Sequence, residues 1–447
     1  MQNFTSSESD TTHFNRTALK SGGFRMKLYE AATFIGTTLA RIPALKNEKL
    51  RAALNGRGKG IRGWTIGKID DRPVVMIHVA STGEYEGARP LIERLQESGE
   101  VRIAVSFSSP SARPAVEATD GLWAFGFLPM DYLIEQLQLL ARLEPMAVLI
   151  FKHDFWPNLL RAASALKIPI GLINANFHPK SKRNFPIVKG FHKLFMKHLT
   201  FIWTVSQADS DRIEPLLTGR TELAVGGDTR YDRVLRRAEL GRERFKTLKA
   251  AFGKSKIIVA GSTWPPGEKI VYHAFANLRK SIPELKLLIA PHEPTAEALQ
   301  RNIDSAEAIG ATVIKLSQWN GESIEADVII IDGMGILADI YTVGWAAYVG
   351  GGFGVGVHSV IEPAAHKLPV TFGPHNHVSH EAGLLIKNKG GYLVETTSDL
   401  EKLWGNWLAD PTEYNYASEA ATKVVTNHAG VTEKLMERLN IYLGKGT

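Results

Sequence analysis

Residues 73–95 read PVVMIHVASTGEYEGARPLIERL, and the order of their residue types decides the fold. The run 73–79 is short, apolar and rich in β-branched residues, the composition of a strand buried on both faces. Ser81 and Gly83 turn the chain, after which Ala88, Leu91, Ile92 and Leu95 recur at helical spacing. A buried strand feeding a helix through a short loop is half of a βαβ unit. The same alternation continues with strands predicted at 102–107, 122–127, 147–151, 169–173, 201–205 and 221–225. A charged helical stretch at 233–254 forms a bridge, and the pattern restarts at 256–260, 285–290, 312–315, 327–331, 346–350 and 369–372 before a helical tail at 411–442. The reading is an α/β chain of two doubly wound Rossmann-like domains, 69–235 and 236–447, preceded by a leader (1–25) and a basic segment (26–68). Ligands of such sheets bind beyond the carboxyl ends of the strands, so the two domains are expected to face each other across an active cleft.

Composition narrows the function. The 447 residues are 44% hydrophobic and 22% charged, with no run of 18 apolar residues, which excludes a polytopic membrane protein. With no cysteine, disulfides, thiolate metal sites and cysteine nucleophiles are excluded. The net charge is +7, yet the first 68 residues alone hold twelve Lys and Arg against four acids, so the rest is nearly neutral. Residues 1–25, rich in Ser, Thr and Asn, read as a disordered leader. Leu28, Ala31, Ala32, Ile35, Leu39 and Ile42 then share one helical face, followed by Lys46, Lys49, Arg51, Arg57 and Lys59. That makeup suits a segment lying on an anionic bilayer surface; a helix packed on the protein with a solvated basic loop is the alternative. Nucleic acid is not expected, because the basic stretch lacks interleaved aromatic residues.

The strand ends carry the chemistry. After the first strand, small Ser81 and Gly83 admit a ligand, and Glu84, near a helix N-terminus, is a candidate base, with simple helix capping as the alternative. After the fourth, Lys152, His153 and Asp154 precede Pro157, a suitable first helical residue, and are expected on a loop at the cleft. In the second half Ser262 and Thr263 end a strand. Residues 350–359, GGGFGVGVHS, form a glycine-rich loop before a helix, suited to a phosphate, with Glu362 one turn on for a ribose diol. The dinucleotide fingerprint and the Walker lysine are missing.

In these residues the sequence resembles the Kdo (3-deoxy-D-manno-octulosonic acid) transferases of lipopolysaccharide synthesis, from about Lys27 onward. The resemblance is carried by the signature from His78 to Glu84, by Arg89-Pro90, Trp156-Pro157-Asn158, Asn174-Ala175, Gly227 with Asp232, and Met334-Gly335. Gly356 with His358, Glu362-Pro363-Ala364 and Phe372-Gly373-Pro374-His375 complete it. It implies a GT-B type glycosyltransferase without catalytic metal or other cofactor, taking CMP-Kdo as donor and a lipid A precursor as acceptor. It further implies that Glu84 is the base of an inverting transfer and that the protein rests, peripherally or by an N-terminal anchor, on the cytoplasmic face of the bacterial inner membrane. Ser81, Gly83, Lys152, Asp154 and Asn174 are the implied acceptor-side residues. Arg230, Ser262, Thr263, His292, Met334, Gly335, Gly356, His358, Ser359 and Glu362 are the implied nucleotide-sugar residues. The chain departs from the family at Lys152-His153-Asp154, where the family has Glu-x-Glu, and at Asn176, Trp264, His292-Glu293 and Ser359. Another sugar-nucleotide enzyme, such as a UDP-sugar epimerase or transferase, and an inactive membrane-bound nucleotide-sugar-binding homologue are the alternatives.

Overall fold

Strands that are apolar on both faces need helices on both faces, and the computed structural model satisfies that need twice. It describes residues 23–152, 154–177, 193, 195–217, 220–377 and 379–442, so most of the expected leader and His153 lie outside the described residues. The first unit takes the chain up to Arg230 and again from Gly430 onward; the second runs from Tyr231 to Ala429.

The first unit holds β1 (Thr65–Ile66), β2 (Val74–Val79), β3 (Arg102–Phe107), β4 (Ala124–Phe127), β5 (Pro145–Phe151), β6 (Ile170–Ala175), β7 (Phe201–Thr204) and β8 (Glu222–Val225). Their order is β1-β4-β3-β2-β5-β6-β7-β8, parallel throughout except for the antiparallel β1–β4 pair. The second unit holds β9 (Ile257–Thr263), β10 (Lys286–Pro291), β11 (Val313–Lys315), β12 (Val328–Ile330), β13 (Ala346–Val349), β14 (Val370–Phe372) and β15 (Gly391–Leu393). These form a parallel sheet in the order β11-β12-β10-β9-β13-β14-β15. Strand order therefore reverses between β2 and β5 in one unit and between β9 and β13 in the other, the positions where doubly wound sheets bind ligands. Every strand expected from the sequence forms; the edge strands β1 and β15 were not expected.

The helices needed below are α1 (Gly23–Leu39), α2 (Arg41–Ala44), α3 (Glu48–Gly58), α4 (Thr82–Ser98), α5 (Pro157–Ala165), α6 (Arg230–Arg244), α7 (Ile361–Ala365), α8 (Pro411–His428) and α9 (Val431–Tyr442). The helical tail is not continuous and does not stay with the second domain, which corrects the expected boundary. Ala429 is extended and Gly430 has φ +91°, breaking the helix. Val424 and Val425 of α8 pack in the second unit, whereas Val431, Leu435 and Met436 of α9 pack in the core of the first, where α9 lies against α4. Arg94 of α4 seals that contact with Glu433 at 2.8 Å.

The basic segment is likewise part of the first unit, since it supplies β1. Helix α1 docks by Met26, buried in the core, and by a polar stripe: Tyr29 donates to Asp131 Oδ2 at 2.7 Å, Glu30 accepts from Arg161 at 2.8 Å, and Thr37 shares a hydrogen bond with Tyr132. Its apolar face points outward, leaving Leu28, Phe34, Ile35 and Leu39 exposed, with Ile42 and Leu45 beyond it. Among the described residues no helix is long and apolar enough to cross a membrane.

Candidate active site

In the first unit the carboxyl ends of β2 and β5 meet at the sheet's reversal. Glu84 stands in the first turn of α4, and its Oε2 accepts a hydrogen bond from the Ala80 N–H at 2.5 Å. No described residue bonds its other oxygen. Capping and catalysis are thus compatible: one oxygen is anchored to the loop and the other is open to a proton. Burial pushes the Glu84 carboxyl above its ordinary value against the pull of the Ala80 N–H; Asp154 adds to the rise, and Lys152 and His78 oppose it. Ser81 adopts extended backbone as the N-cap residue without a side-chain cap bond, and nothing lies within 4 Å of where a Gly83 Cβ would stand. The loop is therefore open beside Glu84.

Asp154 plays a different part. Its Oδ2 receives Ser108 Oγ at 2.6 Å and Trp156 Nε1 at 3.0 Å, and faces His78 Nε2 at 3.0 Å, while His78 Nδ1 meets Ser106 Oγ at 2.8 Å. Burial opposes its charge, but the hydrogen bond and charge of His78, with Ser108 and Trp156, outweigh it and hold the carboxyl well below the usual range. A carboxylate whose charge is so stabilised is a poor proton acceptor and a good fixed negative charge beside Glu84. Lys152, at φ +61°, turns the chain here in the left-handed region that non-glycine residues rarely enter.

Asn174 departs from its expected acceptor-binding role. It is buried at φ +54°; its Nδ2 donates to Thr229 Oγ1 at 2.7 Å and its Oδ1 accepts from the Thr229 N–H at 3.2 Å. Thr229 in turn donates to the Gly87 carbonyl on α4, so Asn174 braces the helix that carries Glu84. Arg230, expected to add charge at the nucleotide's phosphate, is already paired within its own unit. It ends the first unit and grips Asp228 Oδ2 through Nε at 2.8 Å and Nη2 at 2.6 Å.

In the second unit β9 ends at Ser262 (φ +52°) and Thr263. Thr263 is buried and donates to Glu268 Oε1 at 3.0 Å, which removes its hydroxyl from the expected ligand set. The glycine-rich loop is packed rather than slack. A Cβ on Gly350 would lie 2.0 Å from the Ser262 carbonyl oxygen, and one on Gly351 would lie 2.1 Å from that of Gly356. The N–H groups of Gly356 and His358 already donate to the Gly351 and Gly350 carbonyls, at 3.0 and 3.1 Å. These two amides are spent, so the expectation that they cradle a phosphate is corrected. What His358 offers is its ring, which stacks on His292 at 4.4 Å; His292 stacks on Trp264 at 5.0 Å, and Trp264 Nε1 donates to His358 Nε2 at 3.0 Å. Burial, helped by His292, lowers the His358 pKa and favours its neutral form.

Glu362 lies near the start of α7. Burial raises its pKa, while Arg237, Arg233 and a bond from Ser359 hold the charge. Arg237 also donates to Asp339 Oδ1 at 2.9 Å and to the Gly335 carbonyl at 3.3 Å, tying α6 to the loop of exposed Met334 and of Gly335 (φ +81°). Burial, with Arg237, pushes Arg233 down to about 10, against the charges of Glu362 and Asp339. Sequence reasoning read this stretch only as a charged bridge; the spacing of Arg233, Arg237 and Arg244 on one face of α6 was the available signal.

Residues 55–233 match the family described as 3-Deoxy-D-manno-octulosonic-acid transferase (kdotransferase). A 3-deoxy-D-manno-octulosonic acid transferase of Bordetella pertussis is 27% identical over 383 residues, covering 83% of this chain and 87% of that protein. One from Aquifex aeolicus is 27% identical over 332 residues, covering 72% and 83%. Among solved structures, the UDP-GlcNAc 2-epimerase of Neisseria meningitidis superposes with a TM-score of 0.59 at 14% identity, over 82% of this chain and 99% of that one. That likeness describes the fold alone.

Proposed function

We propose that this chain, a homologue of the 3-deoxy-D-manno-octulosonic acid transferases over most of its length, moves Kdo from CMP-Kdo to a lipid A precursor in lipopolysaccharide core synthesis. The observation that carries the reading is Glu84: a half-buried carboxylate at a sheet reversal, anchored through one oxygen, with a raised pKa and an open second oxygen. As the acceptor's hydroxyl oxygen forms its bond to the anomeric carbon of Kdo, Glu84 takes the hydroxyl proton, and the bond from that carbon to the phosphate oxygen of CMP breaks with its electron pair leaving on CMP. A single displacement inverts the anomeric centre. General-base help supplies roughly 10² to 10⁴ in rate, and positioning and charge supply the remainder. The nucleotide belongs to the second unit, its ribose on Glu362 and its phosphate near Ser359 and the Trp264–His292–His358 stack.

The outward apolar face of α1 and the cations after it suit the cytoplasmic surface of the inner membrane, where such an acceptor resides. The test is direct. Incubation with CMP-Kdo generated in place and a lipid A precursor should release CMP and add the mass of Kdo to the acceptor; unchanged acceptor with intact donor would refute the reading. Thermal stabilisation by CMP but not UDP separates it from a UDP-sugar enzyme, because the fold is common to both.

A further inference from the structure

Between α1, α2 and α3 and the loop after β4 lies a cavity of about 710 Å³, within the size range of small-molecule sites. Phe34, Leu45, Leu54 and Met130 form its apolar wall, and Arg41 and Arg51 lie on it. Arg41 has no ion pair among the described residues, and Arg51 meets only the highly exposed Glu48, at 3.4 Å. Glu135 also lines the cavity, close against Gly60. Arg57, next to cavity-lining Gly58, lies 3.8 Å over the Trp156 ring and donates to the Leu128 and Pro129 carbonyls at 3.1 Å each. Trp156 in turn donates to Asp154, whose charge acts on Glu84.

Apolar walls carrying an unpaired cation, beside a helix face that is itself apolar and exposed, fit an anionic amphiphile better than a sugar or a free anion. We infer that the cavity takes one acyl chain of the phosphorylated lipid acceptor, the chain covering Phe34, Leu45, Leu54 and Met130 and the anionic group meeting Arg41 and Arg51. This rests on the transfer reading above and adds how the acceptor is held.

The test is calorimetry on the full chain with decyl phosphate below its micellar concentration, with decyl glucoside and inorganic phosphate as parallel ligands. Decyl phosphate should bind about tenfold or more tighter than decyl glucoside, and inorganic phosphate should give no measurable heat. Nothing lies within 4 Å of a Cβ placed on Gly58, a lining position, so Gly58→Phe introduces a bulky side chain there with room at its Cβ. It should weaken decyl phosphate about tenfold or more while sedimentation with anionic vesicles persists. Should that variant fail to fold, Thr38→Trp at an exposed lining position repeats the experiment. Arg41→Gln with Arg51→Gln should reduce decyl phosphate to the level of decyl glucoside. Native-strength binding in the filled variants overturns the inference, as does displacement of decyl phosphate by short-chain phosphatidylglycerol but not by the lipid acceptor. Because binding is read without CMP-Kdo, a failed cavity and a failed transfer are separate results.

Discussion

Glu84 and Asp154 illustrate how two carboxylates on neighbouring loops acquire opposite characters. Asp154 takes Ser108, Trp156 and the His78 contact on one oxygen and is held ionised, while Glu84 is partly buried beside it and is raised. A base works deprotonated, so kcat/KM should fall as pH drops through a pKa above the ordinary Glu value. Asp154→Asn removes the negative neighbour and should move that acid limb to lower pH. A limb that stays or moves upward would mean Asp154 does not act on Glu84. On the nucleotide side, Glu362→Ala should weaken CMP by about 1 to 3 kcal/mol in calorimetry, the usual loss of a charged hydrogen-bond partner; unchanged affinity would remove Glu362 from the site. The sequence placed Glu84, Lys152 and Ser262 near strand ends because periodicity marks where strands stop, and Glu362 in the helix after the glycine-rich loop. It could not tell that Asn174 and Thr263 turn inward, since a polar residue after a strand reads the same whether its partner is a ligand, Thr229 or Glu268.

At the scale of elements, Asp131 fastens α1 to α5. It accepts from Tyr29 at 2.7 Å and from the Asn158 and Leu159 N–H groups at 3.0 and 3.2 Å, ending the orphaned donors at the start of α5. Burial pushes its carboxyl up to about 6 in spite of those bonds. A raised folded-state value favours the protonated form, so this group's stabilisation is complete below about pH 4 and is lost as pH rises through 6, by up to about 3 kcal/mol. Thermal unfolding should show that decline, and Asp131→Asn should flatten it; an identical slope in the variant would assign the decline elsewhere. The exposed face of α1 makes a second prediction. Phe34→Ser with Ile35→Ser and Leu39→Ser should release the protein from anionic vesicles with little change in melting temperature, because these side chains leave no cavity behind. High salt should act in the same direction through screening of the cations that follow. The amphipathic period of α1 was legible, but which side faced the protein was not: that is settled by Tyr29, Glu30 and Thr37, whose partners are about a hundred residues away. Strands β1 and β15, two and three residues long, are too short to show a period.

For the whole molecule, both sheets carry the central order β4-β3-β2-β5-β6 or its counterpart β12-β10-β9-β13-β14, so each unit places its chemistry at its own reversal. Parallel order was legible because buried strands are apolar on both faces. The return of α9 to the first unit was not, since Val431, Leu435 and Met436 would suit either core. The fold is shared with a UDP-sugar epimerase at 14% identity, and function therefore hangs on the site rather than the architecture. The central claim is that Glu84 takes the acceptor's proton, and the most direct measurement is the Kdo transfer rate of Glu84→Gln beside the native chain, with CMP affinity measured on both. Transfer should fall about 100-fold or more with CMP affinity unaltered; a variant keeping more than about a tenth of the native rate would mean that Glu84 is not the base.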